Sequence, residues 1–217
     1  MSKLYIVATP IGNLEDITLR ALRTLKEVDL VLCEDTRVTK KLLNHYDITT
    51  ATLSYHQHSG KIKSDIILNV LEQGQNVALV TDAGTPGVSD PGNKLVKEAV
   101  DHGYDVEAIP GASAISTAIS LAGLQMDRFL FLGFLPHKKG RQTMLKEIEA
   151  SKYPVIVYES VHRIEKLLLE LAQDDELVLL RELTKKFETV YRGKVGQVLE
   201  MLKADKVKGE FVVIINK

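Results

Sequence analysis

The residues able to do chemistry gather in short polar stretches that directly follow apolar runs. Glu34-Asp35-Thr36-Arg37 follows Val28–Cys33, and His56-Gln57-His58-Ser59-Gly60 follows Thr52–Tyr55. Glu159-Ser160-Val161-His162-Arg163 follows Val155–Tyr158, and Arg181–Glu188 follows Glu176–Leu180. Carboxylates, imidazoles and cations set side by side suit proton transfer or the holding of an anion. Each has a structural reading as well. Glu34, Asp35 and Arg37 also make an ion-pair cluster or a helix cap. His162 and Arg163 open a helix and suit a phosphate. His56 and His58 alternate like a metal pair, but no further ligand cluster sits beside them, so no metal is expected.

One stretch is of another kind. Thr81–Gly92, read TDAGTPGVSDPG, holds Gly84, Gly87, Gly92, Pro86 and Pro91 within nine positions. Glycine relaxes φ, while proline fixes it and removes a donor, so the stretch is neither helix nor strand. It is longer than the ~4–6 residues most connections need. No Gly-Lys-Ser/Thr follows the glycines, and their spacing is not that of a dinucleotide fingerprint. The stretch has no lysine or arginine, which argues against a triphosphate and admits a ligand that is neutral or positive near the loop. Asp90 before Pro91 predicts an N-cap with proline at the first helical position.

The elements that must position these stretches follow from periodicity. Strands are expected at Leu4–Ala8, Asp29–Cys33, Thr52–Tyr55, Val77–Thr81 and Val106–Ile109. Helices between them are expected over Leu19–Val28 (capped by Asp16 or Thr18), Thr36–Tyr46, Ile62–Glu72 and Gly92–His102. Alternating strand and helix predicts a parallel sheet covered on both faces. A domain boundary is expected near Pro110, giving domains 1–110 and 111–217. The second half carries strands at Phe129–Phe134, Val155–Tyr158, Glu176–Leu180, Thr189–Arg192 and Glu210–Ile215. Its helices are expected at Ser113–Ala122, Lys138–Ala150, Val161–Ala172 (capped by Ser160) and Val195–Leu202. Loops that follow parallel strands share one edge, where open α/β sheets bind ligands. Thr9–Leu14 and Pro110–Ala114 belong to that set. Loop edges of two halves that face each other make a cleft.

Composition narrows the class. The 217 residues are 45% hydrophobic and 26% charged, with a net charge of -1, so no global basic field marks a nucleic-acid binder. The single cysteine, Cys33, excludes an internal disulfide, fits a reducing cytoplasm, and reads as a core residue. No basic segment precedes an apolar N-terminal stretch, and no run approaches ~18 apolar residues, so a cytoplasmic protein without an anchor is expected.

TPIGNLEDIT, EDTR, TDAGTPGVSDPG, PGASA, FLGFLP, ESVHR, RELTKKFE and KGEF, in this order, resemble the ribosomal RNA small-subunit methyltransferase I family of the tetrapyrrole-methylase-like superfamily. The resemblance runs from Lys3 to Ile215. It implies two α/β domains with S-adenosylmethionine in the cleft between them, a homodimer, and methylation of a cytidine ribose 2′-hydroxyl in small-subunit ribosomal RNA, within the small ribosomal subunit. Family members usually continue past the strand matching Glu210–Ile215 into a small C-terminal segment, which is absent here.

By matching motif, the resemblance places the cofactor against Pro10, Gly84, Thr85, Val88, Ser113, Ala114, Tyr158, Leu183, Gly209 and Glu210. Tyr158 and Leu183 have plain core packing as their other reading. A sulfonium is a cation, so a loop without lysine suits it. A 2′-hydroxyl is a poor nucleophile and calls for a base or a nearby positive charge. Glu34, Asp35, His56, Glu159, His162, Glu182 and Lys185 are candidates. The reaction edge is expected at Glu34, Arg37, Glu159, Arg163, Glu182 and Lys185, with no one residue assigned as base. RNA contact is expected from local basic groups: Lys138, Lys139 and Arg141; Arg163, Lys185 and Lys186; Lys203, Lys206 and Lys208. A tetrapyrrole-type methyltransferase acting on a small molecule fits the near-neutral charge. A non-catalytic ribosome-binding protein is the third reading.

Overall fold

The computed structural model describes residues 2–56, 59, 61–90, 92–205 and 208–217. The expectations for His58, Pro91 and Lys206 lie outside the described residues. The chain divides into two compact units, residues 1–113 and 114–217.

The first unit holds strands β1 (Lys3–Val7), β2 (Leu30–Cys33), β3 (Ala51–Ser54), β4 (Val77–Leu79) and β5 (Asp105–Ile109). They form one sheet in the order β3-β2-β4-β1-β5. Every pairing in it is parallel, as the alternation predicts. Four helices connect them: α1 (Leu19–Glu27), α2 (Thr36–His45), α3 (Lys61–Glu72) and α4 (Asn93–Asp101). The strands are apolar on both faces because helices cover both. Ala21 and Leu25 of α1 and Leu43 of α2 pack with Val7, Val31, Cys33 and Ala78. Ile67 and Leu71 of α3, with Leu95 and Ala99 of α4, pack with Leu4, Leu32, Val77 and Leu79. Cys33 is a buried core residue, and burial pushes its thiol pKa up.

The strand order sets the position of the site. Leaving β1, the chain moves toward β3; leaving β4, it crosses to β5 at the other edge. The loops after β1 and β4 therefore leave neighbouring strand ends for helices on opposite faces of the sheet, which makes this edge the switch-point crevice of an open α/β sheet.

The second unit is built from α5 (Ala114–Ala122), β6 (Leu130–Phe134), α6 (Arg141–Ala150), β7 (Val155–Ser160), α7 (Ile164–Glu170), β8 (Glu176–Arg181), β9 (Thr189–Lys194), α8 (Val195–Ala204) and β10 (Glu210–Ile215). Its sheet order is β6-β7-β10-β8-β9. β6 and β7 are parallel, and the other pairings are antiparallel. β7 and β8 thus run the same way, so the ends of both share an edge with the start of β10. One core joins Val155, Val157, Leu177, Leu179, Phe211 and Val213 of the strands to Ile164, Leu167, Val198 and Leu202 of the helices.

Three helix starts differ from expectation. Gly92, not Asp90, is the N-cap of α4, and it makes no side-chain cap bond. Helix α7 begins at Ile164 rather than Val161, because Ser160 is still paired with Glu210 in the β7–β10 ladder and its backbone is committed to the sheet. Helix α6 begins at Arg141, three residues late, because Gly140 takes a left-handed φ of 89°. The first helix is capped by Thr18, whose side chain accepts from the Ala21 N–H.

Candidate active site

The crevice of the first unit is stitched by backbone hydrogen bonds. The Thr9 N–H donates to the Gly84 carbonyl at 2.9 Å, and the Gly84 N–H returns to Thr9 O at 3.0 Å. Thr9 Oγ1 donates to Thr81 O at 3.0 Å, and Thr85 Oγ1 to Ala112 O at 3.1 Å. These bonds bring together the loops after β1, β4 and β5, and with them Pro10, Gly84 and Thr85. Pro10 and Gly84 are buried; Thr85, Val88 and Ser113 are half-buried. Gly84 has a φ of 83°, which a side chain rarely adopts, and a Cβ there would stand 3.4 Å from Ile11 Cγ2.

Carboxylates crowd one side of the crevice. Burial, then the Asp82 charge, raises the Glu34 pKa. Burial also raises Asp82. Burial, with Glu34 and Asp82 nearby, lifts Asp90 to about 6. Such a cluster favours a bound cation. Asp35 differs: it caps α2 by accepting from the Arg37 N–H at 2.8 Å and also grips the Arg37 side chain. Those two bonds hold its carboxyl near 2. The Arg37 side chain is 86% exposed beyond that pair.

Six of the remaining expected residues fall in two places in the second unit. Tyr158 is half-buried, its ring 5.1 Å from Phe131 and 5.4 Å from Phe134. Glu182, Lys185 and Glu210 cluster at the shared strand edge, with Lys185 Nζ 2.8 Å from Glu182 and 2.9 Å from Glu210. Burial works against both charges, but mutual pairing leaves Glu182 below and Lys185 above the ordinary value. Glu182 and Thr184 take positive φ of 52° and 64°, a strained loop built around buried Leu183. A Cβ on Gly209 would collide with the Glu182 carboxyl.

Glu159 and Arg163 are placed in the interior instead. Glu159 is fully buried, 2.7 Å from Arg163 and 3.8 Å from Arg141. Arg163 also donates to Leu135 O at 2.8 Å, and Arg141 to Glu170 at 2.6 Å. Arg141, expected in a surface basic group, is therefore sealed inside and 3% exposed. Its partner Glu170 carries no motif that would reveal the pairing. Asp82 and Asp90 were also missed as site residues, although both stand in the loop after β4, where a strand-end carboxylate is itself a signal. Ala114 is half-buried at the start of α5.

A doubly wound parallel unit with a glycine loop at its switch point, followed by a mixed-sheet unit, is the fold of a class of methyltransferases. Diphthine synthase matches with a TM-score of 0.79 at 18% identity, over 99% of this chain and 90% of that one. Uroporphyrin-III C-methyltransferase of Thermus thermophilus, complexed with S-adenyl homocysteine, matches with a TM-score of 0.69 at 19% identity, over 100% of this chain and 98% of that one. The family model Tetrapyrrole (Corrin/Porphyrin) Methylases matches residues 3–199.

Closer relatives share the name Ribosomal RNA small subunit methyltransferase I. That of Escherichia coli O157:H7 is 47% identical over 99% of this chain and 77% of its own length. That of Halalkalibacterium halodurans is 46% identical over 98% of this chain and 75% of its own. That of Thermotoga maritima is 43% identical over 100% of this chain and 99% of its own, so a longer chain is not general among these relatives. The chain belongs to the tetrapyrrole methylase family and, within it, to the ribosomal RNA small subunit methyltransferase I proteins.

Proposed function

We propose that the protein transfers a methyl group from S-adenosylmethionine to the ribose 2′-oxygen of a cytidine in small-subunit ribosomal RNA, and that it does so as a homodimer in the cytoplasm. The observation that carries the reading is the Thr9–Gly84 bridge at the switch point, which holds a glycine loop free of cations beside three carboxylates. That setting suits a sulfonium, which is cationic and needs no phosphate cradle. Pro10, Gly84, Thr85, Val88 and Ser113 are the proposed cofactor contacts of this unit. Ala114, Tyr158, Leu183, Gly209 and Glu210 are proposed from the second unit on family resemblance.

In the reaction the 2′-oxygen attacks the methyl carbon in line, the carbon–sulfur bond breaks, and the sulfur leaves as a neutral thioether. The hydroxyl proton passes to a base or to water. Placing oxygen and carbon in line supplies much of the rate. Glu34, Arg37, Glu182 and Lys185 are the proposed reaction-edge groups. Glu159 and Arg163, bonded to each other inside the second unit, act as positioning residues.

The test is titration of the 217-residue chain with S-adenosylhomocysteine, followed by labelled methyl transfer to small ribosomal subunits that lack the modification. Digestion of the RNA to nucleosides should yield labelled 2′-O-methylcytidine. Binding without uptake by subunits, but with uptake by a porphyrinoid, would favour a small-molecule methyltransferase.

A further inference from the structure

We propose that an apolar cleft beside the crevice takes the pyrimidine base of the nucleotide being methylated, and that Asp82 selects cytosine there through its exocyclic amine. The proposal rests on the reading of the substrate as a nucleotide in RNA.

The cleft has a volume of about 170 Å³ and lies wholly in the first unit. That is below the ~300 Å³ at which sites for drug-sized ligands begin, so it accepts a single ring and not a macrocycle. Its walls are Pro10, Leu14, Val38 and Leu42. Leu14 and Val38 are 38% and 37% exposed and form the rim. A flipped base is held between such apolar side chains and read on its hydrogen-bonding edge. The rim is built rather than loose. The Tyr46 hydroxyl donates to Leu14 O at 2.7 Å, and Asn13 caps the short turn Leu14–Asp16.

Asp82, Thr39 and Lys41 are polar groups on the same cleft. Asp82 Oδ1 accepts from the Asp35 N–H at 3.1 Å, which orients the carboxylate and leaves Oδ2 to accept a further bond. A carboxylate accepts from the N4 amine of cytosine, whereas uracil presents a carbonyl oxygen at that position. Thr39 is 4% exposed, and its Oγ1, beside the Cys33 thiol, has no hydrogen-bond partner among the described residues. Thr9, Pro10 and Thr81 also border the cleft, so a base within it lies next to the Thr9–Gly84 bridge.

The test uses the full chain saturated with S-adenosylhomocysteine, with its methyl groups observed by NMR while cytidine or uridine is added. Cytidine should shift the Val38, Leu42 and Leu14 methyls saturably, and uridine should do so about tenfold more weakly. Asp82→Asn should erase that preference. Val38→Trp, at an exposed helix position, should fill the cleft, leave S-adenosylhomocysteine affinity unchanged, and lower methyl transfer to small subunits by about 100-fold. Wild-type transfer by Val38→Trp, or an unchanged cytidine preference in Asp82→Asn, would overturn the proposal. Cytidine filling the cleft of a protein that methylates no ribosomal subunit would support the base pocket while removing the RNA reading.

Discussion

Asp82 and Asp35 are joined by a backbone-to-side-chain hydrogen bond: the Asp35 N–H donates to Asp82 Oδ1 at 3.1 Å. The bond links the loop after β4 to the start of α2, across neighbouring strands β2 and β4. It fixes one carboxylate at the meeting point of the acidic crevice and the apolar cleft. The two residues stand 47 apart in sequence, so only the strand order β3-β2-β4-β1-β5 makes them neighbours.

The Gly84 backbone lies where an L residue is strained, at a cost of roughly 1–3 kcal/mol. Gly84→Val should remain folded by circular dichroism and lose S-adenosylhomocysteine binding in a calorimetric titration. Normal affinity in the folded variant would count heavily against the loop as the cofactor site.

Asp90 titrates at about 6 in the folded chain against an ordinary 3.8. The native state therefore holds a proton that the unfolded chain has lost, and stability falls as pH rises from about 4 to 6. Because Asp90 is only half-buried, solvent screening reduces the effect to on the order of 1 kcal/mol. Asp90→Asn should flatten this part of the pH profile in urea melts and raise the midpoint near neutrality. A variant with the parent slope would show that the carboxyl is not so placed.

Glu159→Ala removes the shared counter-charge of Arg163 and Arg141 inside the second unit. Breaking a buried pair from one side costs roughly 3–5 kcal/mol. Thermal melts should show a large drop in Tm. A shift within error, together with lost activity, would assign Glu159 to the reaction.

Lys185→Ala leaves Glu182 and Glu210 facing each other without their common cation. The pairs are partly exposed, so the stability loss should stay within about 1 kcal/mol. Methyl transfer to small subunits should fall by roughly 100-fold or more if Lys185 assists the nucleophile. An unchanged kcat would make it a strut of the loop and no more.

Much of the fold was legible because local physics and tertiary packing agree. Leu22 and Leu25 repeat at helical spacing and pack with Ala21 on the core, although Leu19 of the same repeat is 86% exposed. Thr18 caps because a hydroxyl before such a repeat satisfies a free N–H. Ser160 looked the same locally, yet six ladder pairs between β7 and β10 hold its backbone in the sheet. Arg141 shows the opposite failure. A charged residue after two lysines reads as surface, and only the fold brings Glu159 and Glu170 to it.

By itself, the amino-acid sequence determined the alternation of strand and helix, the glycine loop with its positive φ, and the family. Each is written in residue types over a short window: glycine for conformation, apolar spacing for faces, motif order for descent. The tertiary structure decided which charges pair in the interior and which stand at the crevice. Glu159 and Glu170 balance Arg163 and Arg141 in the second unit, while Glu34 and Asp82 stand close enough to Asp90 in the first to raise its pKa. That distinction depends on distance and burial, and both arise only when segments far apart in the chain are packed together.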